Sequence, residues 1–222
     1  SRDWERSRLA ALYALAQGDA PVVVATADGL MARTLPPETL RSLAITLEVG
    51  GQAELGALAE QLLSAGYTRC EQVEGVGQFA LRGGILDVFS PLMDQPVRCE
   101  FFDDEIDSMG AFDPGTQRRT RNVSSARILP AAEVLPHCAP GGLPGLADQL
   151  TALAEKLAKK QKTEAIVQTL REDAERLRSG AAPGAADRYL AAIYPTVTAG
   201  VHYLPPDAVV FLSESGRVDE RV

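Results

Sequence analysis

Carboxylates crowd one short stretch of this 222-residue chain: Asp87, Glu100, Asp103, Asp104, Glu105 and Asp107. Acidic side chains at that density are the type that holds a divalent cation for phosphodiester chemistry. Strand parity argues against it. With Phe89 opposite Val97, the period of two sends Asp87 and Glu100 to opposite faces, and no lysine follows at close spacing. Three consecutive acids at a strand end read instead as a solvated turn. A second chemistry is suggested by Gly75-Val76-Gly77-Gln78-Phe79-Ala80, which fits the dinucleotide fingerprint G-x-G-x-x-A. That fingerprint must open a helix whose N-terminus meets the pyrophosphate, and here a strand-like run broken by Gly83-Gly84 follows. His137 beside Cys138, with His202 distant, lacks zinc-ligand spacing. No G-x-S-x-G element supports a nucleophilic serine. The basic runs at 118–121 and 159–162 are short and lack interleaved aromatics, so they read as solvated surface. The expectation is no metal, no cofactor and no catalytic residue.

The residues that remain interesting sit on strands. Residues 79–81 lead into Gly83-Gly84, where the backbone can turn without a Cβ penalty. Residues 85–89 follow, then a seven-residue connection with Ser90, Pro91, Asp94 and Pro96, and 97–102 comes back. Asp103-Asp104-Glu105 turns the chain into a third strand, 106–112, stopped by Asp113-Pro114. Runs of β-branched and aromatic residues bounded by turn residues are hairpin signals. In the Phe89–Val97 register, Arg82, Leu86 and Val88 share a face with Arg98, Glu100 and Phe102. The opposite face carries Ile85, Phe89, Val97, Cys99 and Phe101, with Asp87 as its only charge, and reads as core. Two arginines, a carboxylate and an exposed phenylalanine on one face resemble a protein–protein contact in composition. One residue of slip would rearrange both faces.

The pattern G-x-F-x-x-R-G-G-x-x-D-V-F, then R-x-E-F-F-x-D-E-I-D-S and F-D-P, resembles the UvrB-like module of bacterial transcription-repair coupling factors. UvrB itself shares the frame, while Gly83-Gly84 and the ending Asp113-Pro114-Gly115-Thr116-Gln117-Arg118 are more similar to the coupling factors. The resemblance extends over essentially the whole chain and covers that module alone. It implies a partial RecA-like (P-loop NTPase-like) α/β domain with an inserted α+β domain containing an antiparallel hairpin. It also implies docking onto UvrA, the damage-recognition ATPase, with RNA polymerase and DNA engaged through domains elsewhere. The family's UvrA-contacting positions fall on Arg82, Arg98 and Phe102, and Glu100 matches a further contacting carboxylate of UvrB. One arginine pairing with Glu100 across the hairpin is the bland alternative. The stretch 203–215 is similar to UvrB's Walker B region, where an apolar strand ends in Asp-Glu. Ser213 stands at the metal-ligand position and Glu214 remains, so the resemblance implies an ATPase that has been lost. A DNA-handling module would need a basic or aromatic hairpin upstream of Ser1, which this chain does not contain. A metal-dependent nuclease is the other alternative.

Composition and the rest of the chain fit that frame. Net charge of −8 gives no general attraction to phosphate backbones, so nucleic acid is not the first partner to expect. Apolar content of 45% argues for a folded chain. No run is long enough for a membrane span, no leader is visible, and three cysteines without close pairing point to a reducing cytoplasm. Residues 1–17 read as an amphipathic helix ended by Gly18-Asp19. Residues 21–26 (PVVVAT) read as a buried parallel strand, Asp28 as the cap of a short helix, and Pro36-Pro37 as punctuation. From 44 the pattern becomes α+β: a strand at 45–49, a helix with Leu55, Leu58, Ala59, Leu62 and Leu63 on one face, and Gly66 as its stop. A strand at 68–73 follows. Beyond Pro136 come two helical stripes, Leu146, Leu150, Leu153 and Leu157, then Ile166, Val167, Leu170, Ala174 and Leu177. A short helix is expected near 186–194, and a second buried strand at 208–212. The expected domains are thus 1–43 and 131–222, forming the degenerate RecA-like part, and 44–130, inserted between them.

Overall fold

The computed structural model describes residues 2–20, 22–160 and 164–213. In chain order the elements are α1 (Arg2–Gln17), α2 (Ala27–Met31), α3 (Pro37–Leu43), β1 (Ile45–Glu48), α4 (Leu55–Ser64), β2 (Thr68–Arg69), β3 (Gln78–Arg82) and β4 (Ile85–Val88). There follow β5 (Val97–Phe102), β6 (Glu105–Phe112), β7 (Arg119–Asn122), β8 (Ser125–Ile128), α5 (Gly142–Lys159), α6 (Glu164–Arg178) and α7 (Leu190–Ile193), with short 3-10 turns between. The chain groups into two compact units, 1–133 with 199–222, and 134–198. The fold is α/β with two sheets.

The first unit is built on a six-stranded sheet in the order β2-β3-β4-β5-β6-β7, antiparallel throughout except for the short β2–β3 pair. Alternation along its strands sends Phe79, Leu86, Val88, Val97, Cys99 and Met109 to one face, all of them buried. Helix α4 covers that face with Leu58, Ala59 and Leu62, which recur at i, i+1 and i+4. Glu54 caps the helix, its carboxylate accepting from the Gly56 and Ala57 N–H groups. Gly66, at φ 85°, ends the turn that follows, a conformation a side chain would oppose. Strands β1 and β8 pair with each other as a separate antiparallel ribbon, and Leu47, Ala126 and Ile128 join the same core. Burial pushes the Cys99 thiol up to about 12.

Helix α1 buries Leu9, Leu12 and Tyr13, whereas Trp4, expected on the same apolar stripe, is 61% exposed. One side chain on it does more than pack. Arg8 Nε lies 3.0 Å from Glu133 Oε1, Arg8 Nη2 donates to Ala32 O at 3.1 Å, and Thr34 Oγ1 donates to Glu133 Oε2 at 2.7 Å. This buried network ties the chain around α2 to residue 133. Desolvation raises the Glu133 carboxyl above its ordinary range, against the lowering effect of Thr34 and Arg8.

The two apolar runs expected to be buried strands are not strands. Residues 22–26 and 208–212 have no regular secondary structure and belong to no sheet, with Val24 95% and Phe211 91% exposed. A β-branched run becomes a buried strand only when neighbours satisfy both its edges and cover its faces. Among the described residues no strand does so. Other boundaries also shift. Thr26, not Asp28, caps α2, its Oγ1 accepting from the Gly29 N–H at 3.1 Å. Pro37 opens helix α3, a position that suits its fixed φ. The expected strand at 68–73 contracts to two residues.

The second unit, 134–198, is a helical hairpin of α5 and α6 with α7. Leu146, Leu150, Val167, Leu170, Ala174 and Leu177 are buried along it, while Leu153 and Ile166 stay outside.

Candidate partner-binding face

The face of the large sheet turned away from α4 differs from the expected one by a single residue of register. Val88, not Phe89, stands opposite Val97, so Asp87 pairs with Arg98, Leu86 with Cys99 and Ile85 with Glu100. Leu86 and Val88 therefore go to the core, and Asp87 joins the arginines. The physical reason is that Phe89 is needed beyond the end of β4. It packs with Val73, Ala80 and Phe112 in a small second core, and its N–H donates to Gln78 O. Asp87 and Glu100 consequently share a face, contrary to the parity argument above.

Asp87 is the hub. Its carboxylate is only 1% exposed, with Arg82 Nη2 at 2.8 Å from Oδ2, Arg98 Nε at 2.7 Å from Oδ1 and Arg98 Nη2 at 2.8 Å from Oδ2. Arg98 thus grips Asp87 with two parallel donors, the strongest geometry for this pair. The bond to Asp87 raises the Arg98 pKa further above its already high value, so the charge is fixed. The Arg98 guanidinium also lies 4.6 Å from the centre of the Phe112 ring. Gln117 closes its remaining side, with its O at 3.4 Å from Nη1 and its Oε1 at 3.5 Å from Nη2.

Gln117 takes the left-handed conformation, φ 61°, which is rare for a side chain of its kind. Its amide donates to Val73 O at 3.0 Å and Pro114 O at 2.7 Å, which holds the turn. The Thr116 N–H bonds Asp113 and keeps that carboxyl below the ordinary carboxylate range.

The four residues singled out by the sequence therefore have different surroundings. Arg98 is 20% exposed and Arg82 48% exposed, and both are tied to Asp87 instead of to Glu100. Glu100 accepts from Ser108 Oγ at 3.0 Å and meets Arg119 Nη2 at 3.4 Å. Phe102 ends β5 beside the two-residue turn Asp103-Asp104, with Asp103 at φ 53°, and is 75% exposed. Asp87, Gln117 and Arg119 were missed as members of the face. Asp87 and Gln117 lay in the quoted motifs, but only register and a positive φ reveal their roles.

No group of three or more His, Cys, Asp or Glu residues poised for a metal exists among the described residues. Gly77, at φ 82°, turns the chain within the fingerprint-like stretch, and its last three residues belong to β3 where a helix would be required. Ser213 lies in an exposed bend, and Glu214 is outside the described residues. No described helix is long and apolar enough to cross a membrane.

The sheet thus presents an arginine-bearing face with an exposed aromatic at its rim. Comparison with known families matches residues 45–134 to the UvrB interaction domain. The chain is 31% identical over 223 residues to the transcription-repair-coupling factor of Bacillus subtilis, covering 99% of this chain and 19% of that protein. The factor of Myxococcus xanthus is 39% identical over 176 residues, 78% of this chain and 14% of its own length. That of Escherichia coli is 39% identical over 127 residues, 57% of this chain and 11% of its own length. The chain thus carries a UvrB interaction domain and is similar, over nearly all its length, to one segment of transcription-repair-coupling factors. It spans a fifth or less of those relatives.

Proposed function

We propose that this chain is a non-catalytic, UvrB-like adaptor that docks UvrA, and that a longer coupling factor uses it to bring nucleotide excision repair to stalled RNA polymerase. The observation that carries the reading is the Arg82–Asp87–Arg98 cluster on the UvrB interaction domain. Its two guanidinium groups are oriented before any partner arrives, which removes part of the ordering entropy of binding. Arg82 leaves more of its surface open for a carboxylate of UvrA. Phe102 supplies an apolar anchor next to it. Glu100 belongs to the same contact set.

The finer architecture follows the same proposal. Residues 1–43 and 131–222 are parts of a degenerate RecA-like frame, with 44–130 inserted. Ser213 cannot supply the charge of a Walker B aspartate, so no ATP turnover is expected. RNA polymerase and DNA are engaged by other domains of such a factor. Nothing in this geometry favours the DNA-handling or nuclease readings.

The test is calorimetric titration of UvrA with the 222-residue chain and with Arg82→Ala, Arg98→Ala and Phe102→Ala, alongside melting curves. Truncating an interface anchor costs on the order of 2 kcal/mol, roughly a thirtyfold loss of affinity. Parental affinity in all three variants ends the proposal.

A further inference from the structure

We propose that Arg119, seated in the space left by Gly110, is a third cation of the partner-binding face; this rests on the docking reading above. Strand β7 is the edge of the six-stranded sheet, and Arg119 stands opposite Phe112 of β6. Register thus puts it on the side that carries Phe112 and Arg98, not on the α4 side. Its head does not extend into solvent. A Cβ built on Gly110 would lie 2.8 Å from both Arg119 Cδ and Cζ, so the guanidinium rests directly on the Gly110 backbone. Gly110 stands opposite Arg98 in the ladder, and Ser108 stands opposite Glu100. The bare backbone at Gly110 therefore admits a third guanidinium alongside the Arg82–Asp87–Arg98 cluster.

The bonds holding the three arginines differ in a way that assigns their roles. Arg98 is locked by contacts of 2.7 and 2.8 Å to a buried carboxylate, and Arg82 is held by one contact of 2.8 Å. Arg119 has only longer contacts: 3.4 Å to Glu100 Oε1, 3.2 Å to Ser108 Oγ and 3.2 Å to Asn122 Oδ1. Its side chain is 34% exposed and that of Glu100 46%. A pair this open and this long contributes little to stability. It can instead be exchanged for a carboxylate on a partner protein at small cost, and the site keeps the head near the sheet until then. Three arginines outnumber the two carboxylates they contact, Asp87 and Glu100, on a chain whose overall charge is −8. A carboxylate-bearing protein surface is the partner chemistry that fits.

The experiment uses the full chain and UvrA as probe, with Arg119→Ala, Gly110→Ala, the double variant, and Arg82→Ala as reference. Arg119→Ala is expected to weaken binding about tenfold with an unchanged melting temperature. Gly110→Ala should do the same, because the added methyl meets a flexible side chain and moves the guanidinium off the sheet. The double variant should be no weaker than either single one, since both remove one contact. Arg119→Lys should recover only part of the loss, because an ammonium lacks the planar fork. Parental affinity in Arg119→Ala while Arg82→Ala loses binding overturns this inference and spares the docking reading. Losses that multiply in the double variant overturn the seating role of Gly110. Should Gly110→Ala fail to fold, Arg119→Ala and Arg119→Lys decide the matter. If the unaltered chain does not bind UvrA, or Arg82→Ala, Arg98→Ala and Phe102→Ala all bind like it, the docking reading falls and takes this inference with it.

Discussion

The same strands make two faces of opposite character. Toward α4, every second residue is apolar and buried, and Phe79, Leu86, Val88, Val97, Cys99 and Met109 form one core. On the other side, the intervening positions hold Arg82 and Arg98, both bonded to Asp87, and Glu100, bonded to Ser108 and Arg119. The first face is held by area removed from water, which is non-directional and tolerates shape-conserving change. The second is held by a buried carboxylate whose partners must remain where they are. Breaking such a pair is expensive because it strands a charge, although the intact pair adds little net stability. The core face therefore specifies that the sheet exists, and the charged face is the one proposed to meet a partner.

Four substitutions test this division. Phe79→Ala on the core face has the largest expected effect, a loss of about 3–5 kcal/mol from transfer and cavity terms. Denaturant titration measures it, and the folded fraction should bind UvrA at parental affinity. A smaller loss together with specific loss of binding would mean that the faces are not separable.

Asp87→Asn comes next, with a stability loss of about 3 kcal/mol from uncompensated arginine charge. Its effect on binding separates two views. The substitution adds one positive charge to the face yet removes the acceptor that orients both arginines. Affinity for an acidic partner should fall if orientation dominates and rise, with a steeper salt dependence, if charge alone attracts. We expect a fall.

Phe102→Ala should be the reverse of Phe79→Ala. About 2 kcal/mol of binding is lost, while stability changes by about 0.5 kcal/mol or less, because the ring is already 75% exposed. Comparable losses in both measurements would make Phe102 structural.

The smallest effect is expected for Phe211→Ser, about 0.5 kcal/mol or less in this chain, since that ring is 91% exposed. The equivalent substitution in a full-length coupling factor should cost several times more if the segment there is a sheet strand. Equal, small effects in both would remove the RecA-like frame.

The sequence by itself determined the local elements and the identity of the strands that bear the arginine cluster. Gly, Pro and Asp punctuation marked β3 to β6 to within a residue or two, because turns demand those residue types whatever surrounds them. Leucine spacing marked α4, α5 and α6, because a helix must bury one stripe. What only the tertiary structure decided was anything that depends on a neighbour. A one-residue shift in the β4–β5 ladder moved Asp87 from an expected core position to the hub of the arginines, and parity gives no warning of such a shift. Residues 22–26 and 208–212 have the composition of buried strands, and they stay irregular and exposed, with no strand among the described residues pairing with them. The seat of Arg119 exists only because Gly110 lies on the adjacent strand without a side chain. Periodicity is a property of one segment, whereas register, pairing and close approach are properties of two.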